Sequence, residues 1–147
     1  MSHFTKHTTA TLIPCLRYRD VGAALDWLER AFGFDQQHVV EDEQAGIIHA
    51  QVSFGNGMLM IGPVVDSEYG RLLRHPDEVG ASTQGIYVIV NSADALYAQA
   101  KAAGAEIVME LKDQDYGGRG FSCRDLEGHL WSFGTYDPWQ EDAEGDA

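Results

Sequence analysis

The chain of 147 residues repeats its own pattern at a spacing of 71 positions. In each half, a β-rich run precedes an Ala- and Leu-rich segment with helical periodicity, and three further β-rich runs follow a glycine. A repeated unit of this size predicts two structural modules that face each other across a shared cleft. The landmarks that match at this spacing are Leu25 and Leu96, Ala31 and Ala102, Gly33 and Gly104, and Gly57 and Gly128.

Local signals predict the order βαβββ in each module. Asp20 is a suitable N-cap for the first helix, and Gly33 is a suitable C-terminal stop. Gly55-Asn56-Gly57 predicts a hairpin, because Asn and Gly tolerate positive φ. Asn91 or Ser92 is the expected cap of the second long helix. The predicted fold class is therefore α+β, with two repeated βαβββ modules forming a curved mixed sheet around a cleft.

The chain length suits a single domain, which we place at residues 10–137. Its modules span 10–62 and 83–137, and residues 63–82 connect them. Residues 138–147 form an acidic C-terminal tail, and the composition of residues 140–147 predicts disorder.

The charge balance restricts the partners of the chain. The formal net charge is −13, and nucleic acids and anionic membranes both require clustered Lys and Arg. No apolar stretch approaches the roughly 20 residues needed to cross a bilayer, and residues 1–11 lack the apolar core of a signal peptide. Cys15 and Cys123 form no CxxC pair and are expected to be reduced. We therefore expect a cytoplasmic protein whose partner is a small molecule, and neither nucleic acid nor membrane.

The C-terminal part carries the most specific motif. Residues 116–121 have the sequence Tyr-Gly-Gly-Arg-Gly-Phe, and residues 124–131 have the sequence Arg-Asp-Leu-Glu-Gly-His-Leu-Trp. This stretch resembles the vicinal oxygen chelate superfamily of glyoxalase I, extradiol dioxygenases and bleomycin-resistance proteins. The resemblance covers residues 10–137, with Leu126 in place of the usual Pro and His129 in place of the usual Asn of the turn. It implies a homodimer.

The resemblance also implies where a metal would be bound. Enzymes of this superfamily hold a divalent metal with a His or Glu on the first strand of each module and a Glu on the last. The corresponding positions here are Ile13, Ile61, Gln84 or Gly85, and Ser132. Such side chains cannot replace the water shell of a divalent cation. We therefore predict no metal, no cofactor and no catalytic residue.

Strand alternation predicts the residues that line the cleft. The predicted lining is mostly apolar, and small residues such as Gly134 leave room for a guest. Arg119 is expected either to pair with a ligand carboxylate or to form a salt bridge with Asp113 or Asp115. The predicted ligand-binding residues are Ile13, Cys15, Arg17, Leu59, Ile61, Gly85, Tyr87, Arg119, Phe121, Leu130 and Ser132.

Three functions remain open at this point. The missing ligands and the negative charge favour a metal-free protein that binds a small, aromatic or cationic organic compound. A metal-dependent glyoxalase-like lyase or dioxygenase would need other ligands, such as His49 and Glu110. The third alternative is a non-catalytic structural or regulatory module whose own side chains fill the cleft. The first alternative is the prediction, and the balance is against an enzyme.

Overall fold

The structure is a computed structural model that describes residues 7–140, so the acidic residues 141–147 of the predicted tail lie outside it. The last described element is a 3₁₀ turn at Pro138–Gln140, which lies at the start of that tail. The first module contains β1 (Cys15–Tyr18), α1 (Val21–Phe32), β2 (Asp35–Asp42), β3 (Gly46–Phe54) and β4 (Gly57–Pro63). The connector contains the turn Gly70–Leu72 and α2 (Pro76–Val79). The second module contains β5 (Gly85–Ile89), α3 (Ala93–Ala102), β6 (Glu106–Asp113), β7 (Arg119–Arg124) and β8 (Leu130–Gly134).

The strands form two four-stranded mixed sheets with the same topology. The strand orders are β1-β4-β3-β2 and β5-β8-β7-β6. In each sheet the first and last strands of the module pair in parallel, and the remaining pairs are antiparallel. The sheets are not closed into a barrel. The prediction of an α+β fold built from two βαβββ modules is confirmed. Within residues 7–140, no helix has the length and apolarity needed to cross a membrane.

Local signals place the helix ends as predicted. The side chain of Asp20 accepts a hydrogen bond from the amide of Ala23 at 3.0 Å, and Gly33 adopts φ 86° at the C-cap of α1. Ser92, rather than Asn91, caps α3. The first strand is shorter than the alternation from residue 10 onward predicts, because it begins at Cys15. The residue before it is Pro14, which has no N–H with which to extend the ladder.

One core joins the two modules. Helices α1 and α3 contact each other, and each packs against one face of a sheet. Phe32, at the end of α1, contacts Trp131 and Phe133 on β8, with ring centroids 5.1 and 4.6 Å apart. The indole Nε1 of Trp27 donates to the carbonyl of Ala103 at 2.8 Å. The interior of the protein is therefore shared between the modules.

A buried carboxylate links β1 to the turn between β7 and β8. Asp125 accepts hydrogen bonds from the Tyr18 hydroxyl at 2.6 Å and from the Trp131 indole at 3.0 Å. Its other oxygen accepts from the amides of Glu127 and His129. Burial, together with the neighbouring Asp125 carboxylate, raises the pKa of Tyr18, so its hydroxyl remains a donor. Four donors therefore compensate the desolvation of this carboxylate.

We expect Tyr18→Phe to lower the free energy of unfolding by about 1–3 kcal/mol, because it removes a hydrogen bond to a buried charged group. Urea denaturation followed by Trp fluorescence measures the change. Tyr97→Phe is the matched control, since the Tyr97 hydroxyl bonds Glu110 in an exposed position, and it should cost less than about 0.5 kcal/mol. Equal losses in the two variants would contradict a special role for the Asp125 cluster.

Candidate functional site

Each sheet has one face toward the helices and one face away from them, which we call its open face. The register places Cys15 beside Met60 and Arg17 beside Gly62 on the open face of the first sheet. On the second sheet it pairs Gly85, Tyr87 and Ile89 with Leu130, Ser132 and Gly134, respectively. Six of the predicted lining residues therefore lie on open faces, and Ile13 precedes β1. These six are Cys15, Arg17, Gly85, Tyr87, Leu130 and Ser132.

The predicted orientation of Leu59 and Ile61 is wrong. Their side chains are 3% and 1% exposed and belong to the core, because Ile61 pairs with the buried Leu16. The open face of β4 instead carries Met60 and Gly62. Side chains alternate along a strand, so an error of one residue exchanges the two faces.

The error arises from the length of one turn. In the first sheet, the pair of Cys15 and Met60 corresponds to the pair of Tyr87 and Ser132 in the second sheet. The first and last strands of the two modules are therefore 72 residues apart in sequence, and not 71. Four residues separate the paired Ser53 and Met58. Five residues, 125–129, separate the corresponding pair of Arg124 and Leu130. The additional residue lies in the turn that Asp125 holds.

Two further predicted lining residues lie away from the open faces. Phe121 is buried in the core, where its ring stacks on Phe133. Arg119 is on the helix side of β7, and its guanidinium donates to Asp94 of α3 at 2.8 Å and to Asp113 at 3.4 Å. The salt-bridge alternative for Arg119 is therefore the correct one, with Asp94 as an additional partner that sequence spacing did not indicate.

The open face of the second sheet is partly filled by its own side chains. Tyr87 lies across Gly134, where an added Cβ would be 2.6 Å from its hydroxyl oxygen. That hydroxyl donates to the carbonyl of Tyr136 at 2.7 Å, and burial raises the pKa of Tyr87. Gly134 therefore leaves no free space for a guest. The hydroxyls of Ser122 and Ser132 are hydrogen-bonded to each other at 2.7 Å.

The open face of the first sheet has a pocket of about 220 Å³. Sequence reasoning missed most of its lining, because the orientation of β4 was inverted and the connector contributes Tyr69. His49 and Gln51 form a side-chain hydrogen bond of 3.1 Å beside it. The lining combines apolar and sulfur-containing side chains with one guanidinium and one imidazole. The side chains toward the open face are those of Cys15, Arg17, Ile48, His49, Met60 and Tyr69.

The residues at the centre of the open faces do not fit a divalent metal of the kind that the superfamily's enzymes hold. The central rows contain Cys15 and Met60 in the first sheet and Tyr87 and Ser132 in the second. None of these is a carboxylate or an imidazole, the donors that such a site uses. Within residues 7–140, no group of three His, Cys, Asp or Glu side chains is placed to hold a metal ion.

The two cysteines differ in accessibility, which gives a test of the side-chain orientations. Burial, reinforced by Asp125, raises the pKa of the Cys123 thiol to about 12, whereas Cys15 is half-buried on an open face. We expect iodoacetamide at about pH 8 to leave Cys123 unmodified in the native protein, because the thiolate is the reactive form. Cys15 should react. Peptide mass spectrometry identifies the modified residue, and urea should make both thiols reactive. Labelling of native Cys123 would contradict the packing of β7.

The chain has two βαβββ modules, each with one mixed sheet, and the modules share a core. Each sheet has one open face. These features define a paired-module protein of the glyoxalase type. The model of the Glyoxalase/Bleomycin resistance protein/Dioxygenase superfamily matches residues 3–133, and the chain belongs to this superfamily.

Three similar proteins show how far this likeness extends. TioX from Micromonospora sp. ML1 has 32% sequence identity and a TM-score of 0.66, covering 85% of this chain and 94% of its own. An uncharacterized protein of Mycobacterium tuberculosis (strain H37Rv) is 30% identical over 123 residues, which are 84% of this chain and 72% of that protein. The fosfomycin resistance protein FosX of Listeria monocytogenes has 16% identity and a TM-score of 0.65, with 89% and 96% of the chains covered. At that identity FosX shares the fold alone.

Proposed function

We propose that residues 10–137 bind a small organic compound without a metal, in a cleft between two copies of the chain. In this arrangement, the open face of the first sheet of one copy covers the open face of the second sheet of its partner. The observation that carries the proposal is the central row of the open faces, which holds thiol, thioether, phenol and hydroxyl groups and contains no carboxylate or imidazole, the ligands of such a metal.

The exposure of apolar side chains supports association of two copies. Tyr87 and Ile89 on β5 are 40% and 38% exposed, although they lie in a sheet. Helices α1 and α3 pack against the opposite face of each sheet. A twofold axis would bury both kinds of open face at once, since each copy supplies one of each. Removing this apolar area from water contributes about 25 cal/mol for each Å².

The composition of the open faces supports an organic ligand. Met60 and Ile48 provide apolar surface, while Arg17, His49 and Ser132 provide a few fixed polar groups. Small-molecule sites commonly combine a largely apolar lining with a few such groups that orient the ligand. The aromatic ring of Tyr69 closes one side of the pocket and favours a planar compound.

The proposed dimer predicts that Ile89→Glu shifts the protein toward a monomer, because it places a charge on a face that two copies bury. Size-exclusion chromatography with light scattering measures the mass across a dilution series. Leu72→Glu is the control, since Leu72 is 78% exposed in the connector and should leave the mass unchanged. A dimer of wild-type affinity in Ile89→Glu would contradict the arrangement.

The proposed chemistry predicts that protein purified without chelator contains no stoichiometric transition metal, and that EDTA leaves its ligand binding unchanged. Elemental analysis and a thermal-shift screen of aromatic compounds test these expectations. A compound present at 100 times its Kd should stabilise the fold by about 2.7 kcal/mol. About one metal ion per chain, with activity restored by that ion after chelation, would instead favour the metal-dependent lyase or dioxygenase.

A further inference from the structure

The arginines of this acidic chain fall into two groups. The described residues contain seven arginines, at positions 17, 19, 30, 71, 74, 119 and 124. Five of them form salt bridges with Asp or Glu. Among residues 7–140, Arg17 and Arg74 have no carboxylate partner, although the whole chain has 23 acidic residues. A guanidinium without a carboxylate partner is therefore unusual among the described residues.

Arg17 is held in a defined position on the open face. Its guanidinium lies over Gly62, where an added Cβ would be 2.5 Å from Nη1. Nη1 donates to the carbonyl of Pro63 at 3.3 Å, and the guanidinium carbon is 5.1 Å from the centroid of the Tyr69 ring. Arginine has five N–H donors, so most of them remain available. Fixing the side chain beforehand reduces the entropy lost when a ligand binds.

The charges around Arg17 do not cancel its own. Arg17 and Arg74 both line a second pocket of about 240 Å³, which adjoins the connector. The two carboxylates of that pocket have charge partners other than Arg17 and Arg74: Asp66 pairs with Arg71 at 2.7 Å, and Glu78 lies 3.9 Å from Nη2 of Arg19. The local balance is therefore positive on a chain of net negative charge.

A second copy of the chain would bury Arg17 without neutralising it. In the proposed cleft, the first sheet faces the open face of the partner's second sheet. On β5 and β8 that face consists of Gly85, Tyr87, Ile89, Leu130, Ser132 and Gly134, and none carries a carboxylate. Glu106 of β6 pairs with Arg124 on the same face and already forms a salt bridge with it at 2.9 Å. A buried cation without a counter-charge is costly, so the closed cleft favours a ligand that supplies the missing negative charge.

We propose that Arg17 binds an oxyanionic group of the ligand, a carboxylate or a phosphate, and that the body of the ligand lies against Tyr69 and Met60. The planar guanidinium matches such groups with two parallel hydrogen bonds. This proposal rests on the proposed function and specifies the class of compound. It replaces the expectation of a cationic ligand, which depended on net charge and not on the charge at the pocket.

The test compares four small probes of similar shape: benzoate, phenyl phosphate, neutral benzamide and cationic benzylammonium. Isothermal titration calorimetry on the full-length protein measures their affinities. We expect benzoate or phenyl phosphate to bind more tightly than the other two. Arg17→Gln should lower the affinity for the preferred anion roughly 10- to 100-fold. That factor corresponds to the loss of a hydrogen bond to a charged group. Tighter binding of benzoate would indicate a carboxylate ligand, and tighter binding of phenyl phosphate would indicate a phosphate ligand.

Two variants separate the position of the guanidinium from its charge. Gly62→Ala keeps every charge but displaces the Arg17 side chain. It should therefore lower the affinity for the anion by a similar factor. Arg30→Gln is the control for net charge, because Arg30 lies on α1 in an exposed pair with Asp26, and it should leave the affinity unchanged. Circular dichroism and thermal unfolding confirm that each variant is folded.

The outcomes separate this proposal from the proposed function. Equal affinity for benzoate and benzamide, tighter binding of benzylammonium, or anion binding that is unchanged in folded Arg17→Gln would each overturn the role of Arg17, while binding of any probe would still support a small-molecule cleft. If none of the four probes binds to the wild-type protein at millimolar concentration, both proposals fail.

Discussion

The buried carboxylate of Asp125 is the contact on which the arrangement of the two modules depends. It accepts the Tyr18 hydroxyl from the first module and the Trp131 indole from the second. Two backbone amides of its own turn complete its hydrogen bonds. A buried carboxylate is stable only with such partners, so β1, β8 and the turn between β7 and β8 must keep their relative positions. Among these elements, β1 carries Cys15 and Arg17 of the candidate pocket.

The polar groups around this turn extend the same constraint to the connector. Glu127 accepts hydrogen bonds from the amides of Arg19 and Asp20 and lies 2.8 Å from Nε2 of the buried His75. His75 in turn caps α2. The connector is thereby held against the second module. Tyr69, which contacts Arg17, lies just before this anchored part of the chain.

The two modules share a topology but present different chemistry on their open faces. In both sheets, a side chain from the edge strand lies over a glycine of the neighbouring strand. Arg17 covers Gly62 in the first sheet, and Tyr87 covers Gly134 in the second. The first contact leaves guanidinium donors available, whereas the Tyr87 hydroxyl already donates to a carbonyl. The two open faces of the repeat therefore differ in chemistry: the first has unused guanidinium donors, and the second has an aromatic ring whose hydroxyl is already hydrogen-bonded.

The sequence by itself determined the element types, the βαβββ order of both modules and the helix caps. These features depend on signals a few residues apart, such as the hydrophobic period of α1 and the capping of its first turn by Asp20. It also placed Cys15, Arg17, Tyr87 and Ser132 on the correct faces, because alternation within a single strand is local.

Only the tertiary structure decided which face of β4 is open and which charges are paired. One additional residue in the turn held by Asp125 changes the repeat spacing, and this reverses the orientations assigned to Leu59 and Ile61. Arg119 is neutralised by Asp94, which lies 25 positions away on α3. Arg17 has no such partner among residues 7–140. The physical reason is that register and ion pairing depend on distances between elements that are remote in sequence, which local periodicity does not encode.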